Sequence, residues 1–424
     1  MINENRTIEV RAASWIPSVY FAMGLPFVVI AQASALMYKN MGISDAKIAL
    51  WTSLIMLPWS LKPLWSPILE MFGSQKQFVV ATQLFTGVTF VLLAFTLPLD
   101  DFFKYSIALL GLIAFSGATH DIAVDGVYIN TLTPAQQSKY IGWQGAAYNI
   151  AKIVSGGGFV FIAGELEKQV GVVTAWMSVM GLYGVCMVLL GLYHIKFLPK
   201  IQNANDKVKS FKEGVDVLFD VVKTFFNKKF VMWYVFFIIL YRFAEGFAIK
   251  IAPLFFKASI EEGGLGLDTS EIGLIYGTFG AASFIAGSLL GGYYTSKIGL
   301  KKSLFKQALM FNIPFAVYAL LAFFQPENLW IISLAIVFEY FGYGFGFVAL
   351  ILFMMQQITP GKYKTAHYAF ASGIMNLGFL LPSMMSGYLS DWLGYQMFFI
   401  WVLIATIPAL LAAKLVPFSN KTND

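Results

Sequence analysis

Charge is what this sequence has least of: of 424 residues only 12% are Asp, Glu, Lys or Arg, against 58% hydrophobic. That balance leaves too little polar surface to keep a globular domain in solution, so a soluble enzyme or soluble binding module is excluded. Cysteine is nearly absent as well. Cys186 stands alone, which permits no internal disulfide and reads as a small apolar packing residue. The three histidines include no pair at metal-ligand spacing, so no metal centre is expected. No phosphate loop ending in Gly-Lys-Ser/Thr occurs, nor a nucleophile elbow, and the chain reads as a non-enzyme that needs no cofactor and hydrolyses no ATP. "MINENRTIEVRAAS" at the start has acids but no short apolar region before a small-residue cleavage site, so no removable signal is read and the first span serves as its own insertion signal.

What is present is apolar sequence in long runs. At about 20 residues per membrane crossing, twelve spans are marked, roughly at 14–37, 45–69, 78–98, 104–130, 140–163, 172–195, 230–255, 270–294, 303–324, 329–356, 364–389 and 395–416. The expected fold is an all-α membrane protein with twelve transmembrane helices in two six-helix bundles, 1–197 and 230–424. Between them lies the polar stretch 198–229, in which Val215, Leu218, Phe219, Val222 and Phe226 recur at helical spacing with lysines between; this reads as an amphipathic tether along the membrane surface. With the N-terminus cytoplasmic, twenty of the 29 Lys and Arg face the cytoplasm, five (Lys39, Lys47, Lys104, Lys168, Lys257) lie outside and four are within spans. This is the positive-inside bias, and it puts both termini in the cytoplasm. The net charge of +6 is accounted for by that basic face, which meets lipid headgroups; no basic groove interleaved with aromatics for nucleic acid is present.

The halves repeat one another. "SPILEMFGSQK" (66–76) and "GGYYTSKIGLKK" (291–302) each run from a small residue through a polar one to Gly73 or Gly299 and then to basic residues, "TLTP" (131–134) is echoed by "QITP" (357–360), and "GYLSDWLG" (387–394) repeats the spacing of small residue and acid. Paired repeats of this kind build the two bundles of many secondary transporters. "SGGG" (155–158) and "GYGFG" (342–346) fall inside spans, where they read as close helix contact rather than as a nucleotide fingerprint.

Charge inside a span is costly, at least about 2.5–3.5 kcal/mol at the centre, so it faces a polar interior. "ATHDIAVDG" (118–126) carries His120, Asp121 and Asp125 in the fourth span, the two acids four apart on one helical face. Lys152 falls in the fifth span, Arg242 and Glu245 in the seventh, and Lys250 and Glu339 further toward the outside. Two readings stand: these groups line a polar path between the bundles for solute and proton, or they form structural ion pairs, Asp121 or Asp125 with Lys152 and Arg242 with Glu245. Proton coupling would run through Asp121, with Glu245 and Asp125 as the further candidates. Trp143, Tyr148, Tyr241, Tyr340 and Tyr343 can stack on a sugar ring, and Gln144, Asn149 and Asn376 can meet hydroxyl or amide groups.

Nearly the whole length resembles the AmpG-type muropeptide permeases and their relatives the acetyl-coenzyme A transporters, a branch of the major facilitator superfamily. The matching stretches are "GLP" (24–26), "LPWSLKPLWSPILE" (57–70), "THDIAVDG" (119–126), "YRFAEG" (241–246), "EIGLIYG" (271–277), "GGYYTSKIGLKK" (291–302) and "HYAFASG" (367–373), and the Asp-Ile-Ala-Val-Asp run is the most specific. The resemblance implies a proton-coupled importer of cell-wall fragments, N-acetylglucosamine–anhydro-N-acetylmuramic acid with or without peptide, acting as a monomer in the cell inner membrane by alternating access. Another oligosaccharide or amino sugar, or a coenzyme A-type solute, are the alternatives. From their placement beside the polar positions, His120, Trp143, Gln144, Tyr148, Asn149, Lys152, Tyr241, Arg242, Tyr340 and Asn376 are the candidate substrate contacts. The resemblance implies acids at Asp121 and Asp125 and a basic-acidic pair at Arg242 and Glu245 as functional positions, and a cytoplasmic gate from Lys62, Glu70, Gly73, Lys297, Gly299 and Lys301. Departures stand out at four positions. His120 and His367 occupy positions where the family commonly has Gln, Asn149 one where it often has a base, and Ser296 one where an acid is usual.

Overall fold

A computed structural model describes residues 2–65, 69, 74–132, 134–199, 211–360 and 363–419. These are helices joined by short turns, with no strand among the described residues. Among the described residues nine helices are long and apolar enough to cross a membrane. Eight match single expected spans, and the ninth, Ala366–Leu415, holds two, because Gly394 (φ 71°, ψ 159°) bends the helix between them. The second and seventh spans supply the rest of the twelve in interrupted form. The second is made of Asp45–Leu54, Leu57–Leu61 and a 3₁₀ turn Lys62–Leu64, in a stretch where Pro58 and Pro63 have no N–H to donate to a preceding turn. The seventh is broken at Arg242 (φ −98°, ψ 2°), between Val231–Tyr241 and Phe243–Lys257.

Among the described residues four spans carry a π-helical stretch: Val29–Ala33, Ile153–Phe159, Gly273–Gly280 and Met354–Ile358. Such widened turns recur at functional positions in helices. Ser74 starts the third span with a reciprocal cap, its Oγ accepting from Gln77 N (3.3 Å) while Gln77 Oε1 accepts from Ser74 N (2.9 Å).

By contacts the chain divides into two units, one of residues 1–33 and 61–216, the other of 34–60 and 217–424. The sequence-based division placed 34–60 with the first half. In the first unit the first span packs on the fifth, with Gly24 set against the Tyr148 carbonyl and the Ala151 Cβ. A core of Trp15, Ile16, Val19 and Tyr20 closes on Val124, Val127 and Tyr128 of the fourth span.

In the second unit the "GYGFG" run is the packing ridge expected of it. A Cβ on Gly344 would strike the Phe284 carbonyl of the eighth span, one on Gly342 the Met310 carbonyl and one on Gly346 the Gln307 carbonyl of the ninth. Small residues let these backbones approach where apolar burial alone gives helices in lipid no reason to associate. Gly344→Ala should therefore destabilise the protein by about 1–3 kcal/mol, seen as a lower melting temperature in detergent. Gly158→Ala, where nothing lies within 4 Å of the added atom, should leave it unchanged; equal effects would refute this account of the ridge.

The linker helix, Phe211–Phe226, lies on the second unit by one face. Tyr363 Oη donates to Asp220 Oδ2 (2.5 Å), Thr224 Oγ1 lies 3.1 Å from His367 Nε2, and the Phe225 ring meets Phe370 at 4.8 Å. Phe219 and Phe226 stay exposed on the other side, the face suited to lipid. Lys228 donates to the Ile358 and Pro360 carbonyls at the end of the tenth span, and its partial burial there lowers its pKa from the ordinary lysine value.

Candidate functional site: buried charge in the helices

The two aspartates of the fourth span each have a partner from another span. Lys62, on the 3₁₀ turn of the second span, sits 3.9 Å from Asp121 Oδ2. Tyr20 of the first span donates its hydroxyl to Asp125 Oδ1 at 3.1 Å, its ring held edge-on by Tyr128 at 6.0 Å. The side chain of Asp121 is 12% exposed and that of Lys62 29%, so the pair is long and partly wet rather than locked. One carboxylate lies in the field of a lysine and the other accepts from a phenol.

Lys152 places its ammonium 5.0 Å from the Tyr148 ring centroid, a cation–π contact. Tyr148, Asn149 and Gln144 are half-buried, while Trp143 is 53% exposed. Asn149 Nδ2 donates back to the Gly145 carbonyl on its own helix (2.9 Å). Lys62, expected at a gate, is thus found beside the acids. Glu70 and Gly73 lie outside the described residues.

His120 turns away from its neighbour Asp121 and into the bundle, where it is buried. Gln83 of the third span bridges it to His194 of the sixth: Gln83 Nε2 lies 2.9 Å from His120 Nε2, Gln83 Oε1 lies 2.8 Å from His194 Nδ1, and His194 Nε2 reaches Ser18 Oγ at 2.9 Å. In either orientation of the amide each imidazole is satisfied with a single ring proton. Neither Gln83 nor His194 was singled out from the sequence. The only signal was a Gln in the middle of an apolar span.

In the second unit Arg242 and Glu245 form the ion pair that was the structural alternative. Arg242 Nε donates to Glu245 Oε2 (2.6 Å) and Nη2 to Oε1 (2.5 Å), while Tyr343 Oη donates to the same Oε1 (2.8 Å). The guanidinium lies between the rings of Phe379 (4.7 Å) and Phe347 (5.3 Å). A break at Arg242 swings its side chain into this sandwich, tying the seventh span to the tenth and eleventh. Tyr241 is buried, its hydroxyl donating to the Gly346 carbonyl (2.8 Å). Tyr340 is edge-on to Tyr276 (5.0 Å) and covers Gly280, and Asn376 is half-buried.

The residues around the expected second gate loop form a tight turn. Gly299 (φ 80°) receives the end of the eighth span, its N–H donating to the Thr295 carbonyl (2.9 Å). Lys297 leans 5.3 Å from the Tyr293 ring, and Lys301 is exposed. A second tie in this unit joins residues far apart in sequence. Asp45, 5% exposed, accepts from Lys39 Nζ (2.8 Å) and from the Tyr395 hydroxyl (2.6 Å), and Gly387 of the "GYLSDWLG" repeat presses on the backbone of Asp45 and Ala46.

Twelve apolar spans in a repeated chain, with ionisable groups held inside them, define a secondary transporter. The family described as Major Facilitator Superfamily matches residues 18–366 and 242–423, and the chain belongs to it. Among relatives it is 24% identical to the anhydromuropeptide permease of Escherichia coli K12, over 92% of this chain and 77% of that protein, and 23% identical to the putative transporter AmpG 4 of Rickettsia conorii, over 91% and 92%. Among solved structures it is similar to a bacterial homolog of the human lysosomal transporter Spinster (TM-score 0.74, 15% identity, 96% and 97% covered) and to a D-xylose–proton symporter (TM-score 0.72, 13% identity, 97% and 99% covered).

Proposed function

We propose that this transporter imports cell-wall-derived muropeptides or amino sugars of the N-acetylglucosamine–anhydro-N-acetylmuramic acid type, together with protons, by alternating access. In this reading it is a monomer in a bacterial inner membrane with both termini in the cytoplasm, and 1–197 and 230–424 are its repeated halves. The observation that carries the reading is the Asp-Ile-Ala-Val-Asp segment, which places two carboxylates inside the helices against Lys62 and Tyr20 in a chain similar to an anhydromuropeptide permease over nine-tenths of its length. Tyr148 with Lys152 over its ring offers a sugar an apolar face beside a cation. Trp143, Gln144, Asn149, Tyr340 and Asn376 are the further candidates for its hydroxyl and amide groups, and Lys297, Gly299 and Lys301 for the gate turn.

A coenzyme A-type cargo is disfavoured, because a multiply anionic solute needs several available cations, whereas Arg242 is held by Glu245 and Lys62 faces Asp121. Purified protein in liposomes should accumulate labelled anhydromuropeptide when the outside is made acidic and only equilibrate it without a gradient. Equal final levels under both conditions would remove proton coupling. Competition by unlabelled amino sugars but not by anhydromuropeptide would move the cargo to the alternative class.

A further inference from the structure

Glu339 belongs to none of the ion pairs or candidate contacts described above, and its surroundings are unlike those of any other acid described. It lies in the tenth span with no exposed surface. Tyr318 of the ninth span, itself fully buried, donates to Oε2 at 2.9 Å, and Oε1 has no hydrogen-bond partner among the described residues. No lysine or arginine forms an ion pair with it there. Glu245 is the useful contrast. It is equally buried, but two guanidinium nitrogens and a tyrosine hydroxyl donate to it.

The groups facing Glu339 from the elements around it are neutral or acidic: Tyr318 from the ninth span, Tyr276 from the eighth, Glu245 from the seventh, and Tyr340 and Tyr343 from its own helix. Of the buried cations of the seventh span, Arg242 is held by Glu245, and Lys250 forms no ion pair with Glu339 among the described residues. A carboxylate left in such a place with one neutral donor would be a buried charge without a counter-charge, which costs far more than a neutral carboxyl with one unfilled hydroxyl.

We propose that Glu339 is a proton-binding site of the second unit: its carboxyl carries the proton on Oε1, accepts from Tyr318 on Oε2, and releases the proton to water when a conformational change opens the tenth span to solvent. The step is a simple dissociation to carboxylate and proton, with no redox partner. Its place in transport rests on the proton-coupled reading above, but its protonation does not.

Infrared difference spectroscopy separates the two. Wild-type protein at neutral pH should give a protonated-carboxyl C=O stretching band that disappears in Glu339→Gln, a near-isosteric change that keeps an acceptor for Tyr318. Tyr318→Phe removes the one donor found among the described residues and should move the band to higher frequency without abolishing it, a readout that survives even if the Gln variant is poorly folded. In liposomes one coupled proton sustains about tenfold accumulation per pH unit of gradient, and Glu339→Gln should lose that factor while keeping solute exchange at near wild-type rate.

A wild-type spectrum with only the carboxylate band for this residue, a band unmoved by both variants, or full gradient-driven accumulation in Glu339→Gln would overturn the proposal. If the wild type itself accumulates nothing with a gradient, coupling fails as a function, and the infrared band alone then decides whether Glu339 holds a proton.

Discussion

Arg242→Met is expected to be the most damaging single change in the second unit, with a loss of about 3–5 kcal/mol, the cost of leaving one member of a buried ion pair without the other. The orphan would be Glu245, which has no exposed surface and would retain only Tyr343 as a donor. The same substitution empties the aromatic sandwich of Phe347 and Phe379. Thermal unfolding in detergent should show a large drop, or the variant should fail to accumulate as folded protein. Arg242→Met combined with Glu245→Leu should recover most of the stability, because an apolar pair of similar volume carries no unmatched charge. If the double variant were as unstable as the single, the damage would come from the break in the seventh span rather than from the charge.

Asp121→Asn should abolish gradient-driven accumulation while sparing exchange of labelled for unlabelled solute. Asparagine imitates the protonated acid, so a carrier that must lose its proton to complete the cycle is held in the loaded form. The expected fall is about tenfold per pH unit of imposed gradient for one coupled proton. Because Lys62 is only 3.9 Å away and partly exposed, the lysine left behind can reach water and the fold should survive, which distinguishes this change from Arg242→Met. Uptake in liposomes at matched protein content is the measurement. Undiminished accumulation would exclude Asp121 as the carrier and leave Asp125 or Glu339 to be tested.

Much of this was legible in one dimension, and the reasons are physical. Twelve apolar runs follow from the thickness of the bilayer, and the glycine ridge at 342–346 from the closeness of helices that have little else to hold them together. Asp121, Asp125, Arg242 and Glu245 are conspicuous because charge in a span is rare, and the pairing of Arg242 with Glu245 follows from three-residue spacing on one helix.

What could not be read is everything that depends on which helices meet. Tyr20 and Asp125 are 105 residues apart and Asp45 and Tyr395 are 350 apart; nothing local to either member announces the other. The resemblance suggested a gate role for Lys62, but nothing in the sequence announces that it lies 3.9 Å from Asp121. Regular periodicity also hides the π-helical stretches, since one extra residue per turn leaves no mark in composition.

The chain from Ser18 through His194 and Gln83 to His120 has a carboxamide as its middle link. Water and imidazole hand protons along by exchanging which bond is covalent, but an amide does so only through its unfavourable imidic form. The helices behind the aspartates are therefore bridged by hydrogen bonds that do not conduct. No proton leak by that route is therefore expected in solute-free vesicles that hold this protein.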